Sequence, residues 1–228
     1  MIIIIIMMLL INSYSYVSGN IVVNDLDSNF IYYYSEDGDG VVLGGYKGTD
    51  AIVVIPEIVN EKRVIMIGNG AFAGIKTIQY IILPDSIIEI GENAFMDCSV
   101  ESISIPNGLK KIGDGAFANS NISSVVIPAS VQYLGCACFW ECAHLTKVYI
   151  DALIGEIPDY CFFECVSLRE IQLSNSINTI GEYAFYYCPQ IDIINIPQCL
   201  KLVKRGNFTE NTFLWPAFEP FGLDGDEE

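Results

Sequence analysis

Apolar and polar positions along this chain alternate in one phrase that returns again and again. In Leu168–Gln190, "LREIQLSNSINTIGEYAFYYCPQ", Leu168, Ile171 and Leu173 are apolar among polar neighbours. Ile171 and Leu173 stand two apart, the spacing of one face of a β-strand. A polar stretch follows at Ser174–Ser176, and Ile177 and Ile180 then return to the apolar set. Gly181 suits a tight bend, and Ala184 and Phe185 pack inward on a predicted short helix or 3₁₀ turn.

The phrase keeps a strict period. An Ile-Gly-like pair begins at Ile67, Ile90, Ile112, Leu134, Ile157 and Ile180, at intervals of 22 or 23 residues. A second landmark, the end of the apolar strand at Pro84, Pro106, Pro128, Asp151, Ser174 and Pro197, repeats at the same intervals. A unit of this length has an apolar face that it cannot cover alone, so successive units must stack to bury it. The expected fold is a curved right-handed repeat solenoid of the α/β leucine-rich type. Its parallel sheet would lie on the concave face, with short helical or irregular segments on the convex side.

The repeat resembles that of the BspA-like leucine-rich-repeat family, whose pattern is IPxSVxxIGxxAFxxCxxLxxIxIP. "IPNGLKKIGDGAFANS" at Ile105–Ser120 and "LSNSINTIGEYAFYYCPQ" at Leu173–Gln190 match it closely. The resemblance covers about residues 30–203. It implies an N-terminal β-hairpin cap, with "GYKG" at Gly45–Gly48 as its turn, which would account for the interval of 28 residues from Pro56 to Pro84. It also implies a secreted or surface protein of an anaerobic bacterium or a parasitic protist, without catalysis, that binds a protein, matrix or host-surface ligand. The expected organisation is a signal peptide at 1–19, the β cap at 20–66, repeats at 67–203, and a C-terminal cap or acidic tail at 204–228.

Composition sharpens the picture. The apolar fraction is 52% and the charged fraction 17%, which excludes a disordered chain. Net charge is −17, with 11 Lys and Arg in total, so nucleic acid and anionic membrane surfaces are disfavoured partners. Ile2–Ile11 is an apolar run too short to span a bilayer. With Ser18 and Gly19 behind it, the run reads as a signal-peptide h-region, an uncleaved anchor or an intracellular chain being the alternatives.

Catalytic and metal chemistry find little support. His144 is the single histidine and falls in a loop, so no Ser-His or Cys-His nucleophile can be assembled elsewhere. No phosphate-cradling glycine motif is present, and no cofactor is expected. "EDGDG" at Glu36–Gly40 lacks the length of a calcium loop and fits an Asp/Gly-rich hairpin turn. "CACFWEC" at Cys136–Cys142 offers metal-like spacings, but Cys138 and Cys142 have places in the repeat core. Cys98, Cys142, Cys165 and Cys188 each lie three residues after a repeat Phe. Stacking places such residues within bridging distance, yet with parallel Cα–Cβ vectors, which favours buried thiols over disulfides. Cys142–Cys165 and Cys165–Cys188 are the pairs that a disulfide would join. Asn121 and Asn207 head glycosylation sequons.

Binding, if it is the function, belongs on the outward strand positions. Those form two rows: Ile82, Ser104, Val126, Tyr149, Gln172 and Asn195, flanked by Tyr80, Ser102, Ser124, Lys147, Glu170 and Ile193. The first half is small and apolar, whereas the middle gains charge beside an aromatic ring. Lys147, Tyr149, Arg169, Glu170 and Gln172 are the candidate binding residues. Self-assembly into a structural coat, or an intracellular scaffold, is the alternative function.

Overall fold

The computed structural model describes residues 29–207 and Phe218, together with the backbone of strands 14–17, 20–23 and 223–224. The Ile2–Ile11 run and most of the aromatic C-terminal stretch lie outside the described residues.

The repeats form a parallel-strand solenoid with two ladders of strands rather than one. The front ladder consists of Ile52–Val54, Tyr80–Ile82, Ser102–Ile103, Ser124–Ile127, Lys147–Ile150, Glu170–Gln172 and Ile193–Ile194. The side ladder runs through the residues that precede each Gly-like position: Lys62–Ile67, Glu89–Ile90, Lys111–Ile112, Tyr133–Leu134, Glu156–Ile157, Thr179–Ile180 and Leu202–Lys204. Both exist because each coil carries two short β-branched stretches that pair with their counterparts one coil away. In-register pairing, such as Ser124 with Lys147 and Lys147 with Glu170, keeps equivalent residues in columns. Strand Ile52–Val54 already pairs with Tyr80–Ile82, so the front ladder begins N-terminal to Ile67.

The third side of each coil is not helical. Between residues 29 and 207 no residue adopts helix, and each coil instead makes successive β-turns. In the coil of Phe95, Ala94, Met96 and Cys98 donate their N–H groups to the carbonyls of Gly91, Asn93 and Phe95. The third residues of the first and last turns are left-handed, Asn93 at φ 53° and Asp97 at φ 56°. Those reversals aim alternate amides at the next coil: Asn93, Phe95 and Asp97 donate to Asp114, Ala116 and Ala118 carbonyls. A helix would direct the same groups along its own axis and leave the coil-to-coil bonds unmade. Gly181 does not provide the bend by left-handed backbone. A Cβ there would lie 2.6 Å from the Asp159 nitrogen of the coil beneath, so close backbone approach is what demands glycine.

Aromatic rings run the length of the core. Phe72, Phe95, Phe117, Phe139, Phe162 and Phe185 stack with centroids 5.2 to 5.4 Å apart and planes within 6° of parallel. All six are fully buried. Each burial contributes about 1.5–3 kcal/mol, and ring contact adds about 0.5–1.5 kcal/mol per pair. All eight cysteines are free. Cys142, Cys165 and Cys188 donate S–H to the carbonyls of Phe117, Phe139 and Phe162, one coil back, at 3.0 to 3.1 Å. A small apolar side chain with one weak donor suits that position.

Each ladder is divided once. The side ladder parts between Tyr133–Leu134 and Glu156–Ile157, where Pro158 replaces the usual Gly and has no N–H for the carbonyl of Leu134. The front ladder parts between Ser102–Ile103 and Ser124–Ile127, although Ser123 still donates to Glu101.

The hairpin differs from the expected one. Strands Phe30–Tyr34 and Val41–Tyr46 pair antiparallel around Ser35–Gly40, so the Asp/Gly-rich "EDGDG" makes the turn and "GYKG" does not. Asp37 ties that turn by accepting from Ser35 Oγ at 2.6 Å and from the Asp39 amide at 3.0 Å. A second hairpin, Ile58–Val59 against Lys62–Ile67, turns at Asn60 and Glu61, both left-handed. Its inserted residues lengthen the interval between Pro56 and Pro84.

Candidate functional site

The outward positions of the front ladder fall where strand alternation places them. Ile81, Ile103, Val125, Val148 and Ile171 are buried, and the residues on either side of each face outward. Register aligns Lys147 beside Glu170, and Tyr149 beside Gln172.

Glu170 is the centre of the group. Its carboxylate accepts from Tyr149 Oη at 2.9 Å and pairs with Lys147 Nζ at 3.1 Å. These donors, Lys147 first, hold its pKa below the usual carboxylate range, and Gln172 adds a smaller contribution. The same contacts push Lys147 and Tyr149 upward, because each would lose its bond to Glu170 on deprotonation. The result is an ordered triad of cation, phenol and carboxylate on one sheet face, Lys147 and Tyr149 from one strand and Glu170 from the next.

The triad stands between two grooves. One, of about 400 Å³, lies over the division of the front ladder and is lined by Ser102, Ser104, Asn107, Ser124 and Tyr149. The other, of about 560 Å³, is lined by Asp151, Gln172, Ser174 and Asn195. Asn195 folds back on its neighbour, its amide accepting from Leu173 N at 2.6 Å and donating to Leu173 O at 2.8 Å. Sequence alternation placed Asn195 on this face, but its bonding depends on a strand pairing that only the fold supplies.

Arg169 is not brought into the group. It precedes the strand, where its N–H donates to Thr146 and its carbonyl accepts from Asp192 and Ile193. Its side chain is exposed and has no partner among the described residues.

The two sequons have different surroundings. Asn121 is half-buried and donates its main-chain N–H to Cys98. Asn207 is 3% exposed. Its side-chain amide donates to Gly181 O and Lys204 O at 2.7 and 2.8 Å and accepts from Phe185 N at 2.9 Å. A glycan on that nitrogen would displace bonds to Gly181 in the coil of Phe185 and to Lys204.

Among the described residues, no three His, Cys, Asp or Glu side chains converge as metal ligands. Among the same residues no helix is long and apolar enough to cross a membrane.

Comparison with known proteins agrees with the repeat geometry. No curated protein matches the chain. The crystal structure of a leucine-rich-repeat protein from T. pallidum matches with a TM-score of 0.76 at 23% identity, covering 87% of this chain and 95% of that one. A leucine-rich-repeat protein from Bacteroides ovatus matches with a TM-score of 0.62 at 23% identity, covering 79% of this chain and 55% of its own. One from Eubacterium ventriosum gives a TM-score of 0.52 at 17% identity, with coverages of 83% and 51%. A family model described as the BspA type leucine rich repeat region matches residues 53–156 and 134–215, in six copies. With two ladders in register, a Phe spine and that match over most of its length, this chain belongs to the BspA-type leucine-rich-repeat family.

Proposed function

We propose that this protein is a non-enzymatic binding module that engages a macromolecular partner, a protein or a host or matrix surface, through the outer face of its front ladder. The observation that carries this reading is the ordering of Lys147, Tyr149 and Glu170 into one bonded group on an exposed sheet face. The fold itself does not require that group, because Ser102 and Ser104 fill the equivalent outward positions one division away. Repeat sheets bind in this manner because their outward side chains form a rigid grid, so association loses little conformational entropy. Arg169, exposed beside the group, and Gln172 complete the binding surface.

The same reading places the protein outside the cell or on its surface. The Ile2–Ile11 run and the family resemblance support that placement, and Asn121 is the sequon left for a glycan.

Pull-down from host and matrix extracts tests the binding surface, comparing the full chain with a Tyr149→Ala/Arg169→Ala variant. A partner held by the first should bind the second at least tenfold more weakly. Equal retention by both would remove the function from this face. Mass spectrometry of the native N-terminus tests the location: cleavage near Gly19 is expected, and an intact Met1 with cytosolic fractionation would overturn it.

A further inference from the structure

The turn side of the coils changes character along the array. Two residues past the Gly-like position the occupants run Gly70, Asn93, Gly115, Ala137, Tyr160 and Tyr183. Directly after the spine Phe they run Ala73, Met96, Ala118, Trp140, Phe163 and Tyr186. The later coils thereby build a second aromatic group outside the core, made of Trp140, Tyr160, Phe163, Tyr183, Tyr186 and Tyr187. Its rings touch in sequence, with Trp140–Phe163 at 6.0 Å, Phe163–Tyr186 at 5.0 Å and Tyr160–Tyr183 at 5.4 Å between centroids. Trp140, Tyr160 and Tyr187 are 42%, 41% and 51% exposed.

Folding does not explain these rings. The first three coils make the same turns with Gly, Ala, Asn and Asp and a single Met, and without an aromatic ring. Tyr160, Tyr183 and Tyr187 also occupy left-handed positions, at φ 57°, 53° and 52°, which disfavour a side-chain-bearing residue by about 1–2 kcal/mol. A chain that abandons the locally fitting residue and exposes aromatic surface in its place is shaped there by something other than its own stability.

Charge indicates the occupant. Glu141 and Glu164 take the left-handed position that follows Trp140 and Phe163, and neither side chain has a partner among the described residues. On the other flank, Glu182 is paired with Arg205 at 3.4 Å. Tyr160 and Tyr183 stack face to face, as do Phe163 and Tyr186, so it is the free carboxylates beside the rings that attract a cation, and the ring edges that offer apolar contact. A second copy would set Glu141 and Glu164 against their own kind between chains of net charge −17. An anionic lipid surface meets the same repulsion.

We infer that the turn side around Trp140, Tyr160 and Tyr183 docks a cationic polypeptide segment. Its Arg or Lys side chains pair with Glu141 and Glu164 while their aliphatic stems lie along the exposed ring edges. This surface lies on a different side of each coil from the front ladder, so it stands or falls separately from the function proposed above.

A fluorescently labelled hexa-arginine peptide, titrated with the full chain and followed by anisotropy, tests the inference. The informative variant is Tyr160→Asn/Tyr183→Asn. It keeps the net charge, and Asn93 already occupies the equivalent left-handed position, so circular dichroism and the urea midpoint should show it folded. Its Kd is expected to rise at least tenfold, and Glu141→Gln/Glu164→Gln should raise Kd about threefold or more. Unchanged Kd in both variants would mean diffuse attraction to an acidic protein and would overturn the inference. So would dimerisation in light scattering, or binding to phosphatidylcholine vesicles, that the Tyr160→Asn/Tyr183→Asn change abolishes while peptide binding stays the same. Those outcomes would assign the patch to a second copy or to lipid.

Discussion

The coils around Phe72, Phe95 and Phe117 and those around Phe139, Phe162 and Phe185 follow one backbone path with different side chains. Inside they are alike: the same stacked rings, the same pattern of inter-coil amide bonds and the same two left-handed residues per coil. Outside and in the small core positions they diverge. The first group satisfies its left-handed positions with Gly, Asn and Asp, while the second places Ala, Glu and Tyr there. The second group also holds Cys138, Cys142, Cys161, Cys165 and Cys188 in its core, against Cys98 alone in the first. The shared features are therefore what the solenoid requires. The differences are carried by that frame at some cost in local fit.

The largest effect should come from the shared spine. Phe95→Ala and Phe162→Ala are each expected to destabilise by about 3–5 kcal/mol in urea unfolding, because each opens a ring-sized void between two stacked neighbours. Equal losses would confirm that the two groups share one core, and a much smaller loss at either site would break the equivalence.

Alkali should separate the two groups. Burial pushes the Cys142 thiol up to about 11 and Cys188 up to about 12, and it raises Cys138, Cys161 and Cys165 well above the ordinary value. In the unfolded chain these thiols ionise near 8.5. The native state therefore holds protons that the unfolded state releases, and stability falls as pH rises above about 8.5, by about 1.4 kcal/mol per thiol per pH unit. Below that pH the thiols make no difference. Hydrogen exchange between pH 8 and 10 should loosen the coils of Phe139–Phe185 before those of Phe72–Phe117, and Cys142→Ser should reduce the slope.

Asn207→Ala should cost about 1–3 kcal/mol, since Phe185 N–H would lose the Asn207 oxygen in a buried setting and Gly181 C=O would keep only the 3.4 Å bond from Ala184 N–H. Faster amide exchange confined to residues 180–188 is the expected signature. The smallest effect is also the sharpest contrast. Gly115 and Ala137 hold equivalent left-handed positions in adjacent coils, at φ 60° and 52°. Ala137→Gly should stabilise by about 0.5–1 kcal/mol. Gly115→Ala should destabilise by at least that much, its Cβ meeting Asn93 Oδ1 at 2.4 Å. Melting temperatures of the pair check the two signs.

Much of this frame is legible in the sequence, for a physical reason. Period-two alternation within a strand assigns faces without further information, so Ile81, Val148 and Ile171 are inward and Lys147, Tyr149 and Glu170 outward on spacing alone. The turn side carries a weaker signal. Ala-Phe followed three residues later by Cys imitates helical spacing, while the evidence against a helix lay in Gly70, Asn93, Gly115 and Asn119. These share two repeat positions, and what unites them is tolerance of left-handed backbone rather than polarity. Both "GYKG" and "EDGDG" have turn chemistry, and only strand pairing shows that the second joins the strands of the first hairpin. Arg169 fell outside the triad because the strand begins one residue later, at Glu170. The role of Asn207 had no local signal, since a sequon reports three residues and a closing bond depends on a coil elsewhere.

The Asn207 bonds also show that one side of a solenoid can change its partner while another does not. At the coil of Phe185 the turn-side amide meets a side chain, Asn207, which accepts where a backbone carbonyl serves the earlier coils. On the side ladder the same region goes on pairing backbone to backbone, Leu202–Lys204 running parallel to Leu223–Asp224. The coils are thus held by separable rows, and a side chain of the right shape stands in for one row without interrupting the other. A coil duplicated between Phe117 and Phe139 should add one step of about 4.8 Å and leave that junction as it is.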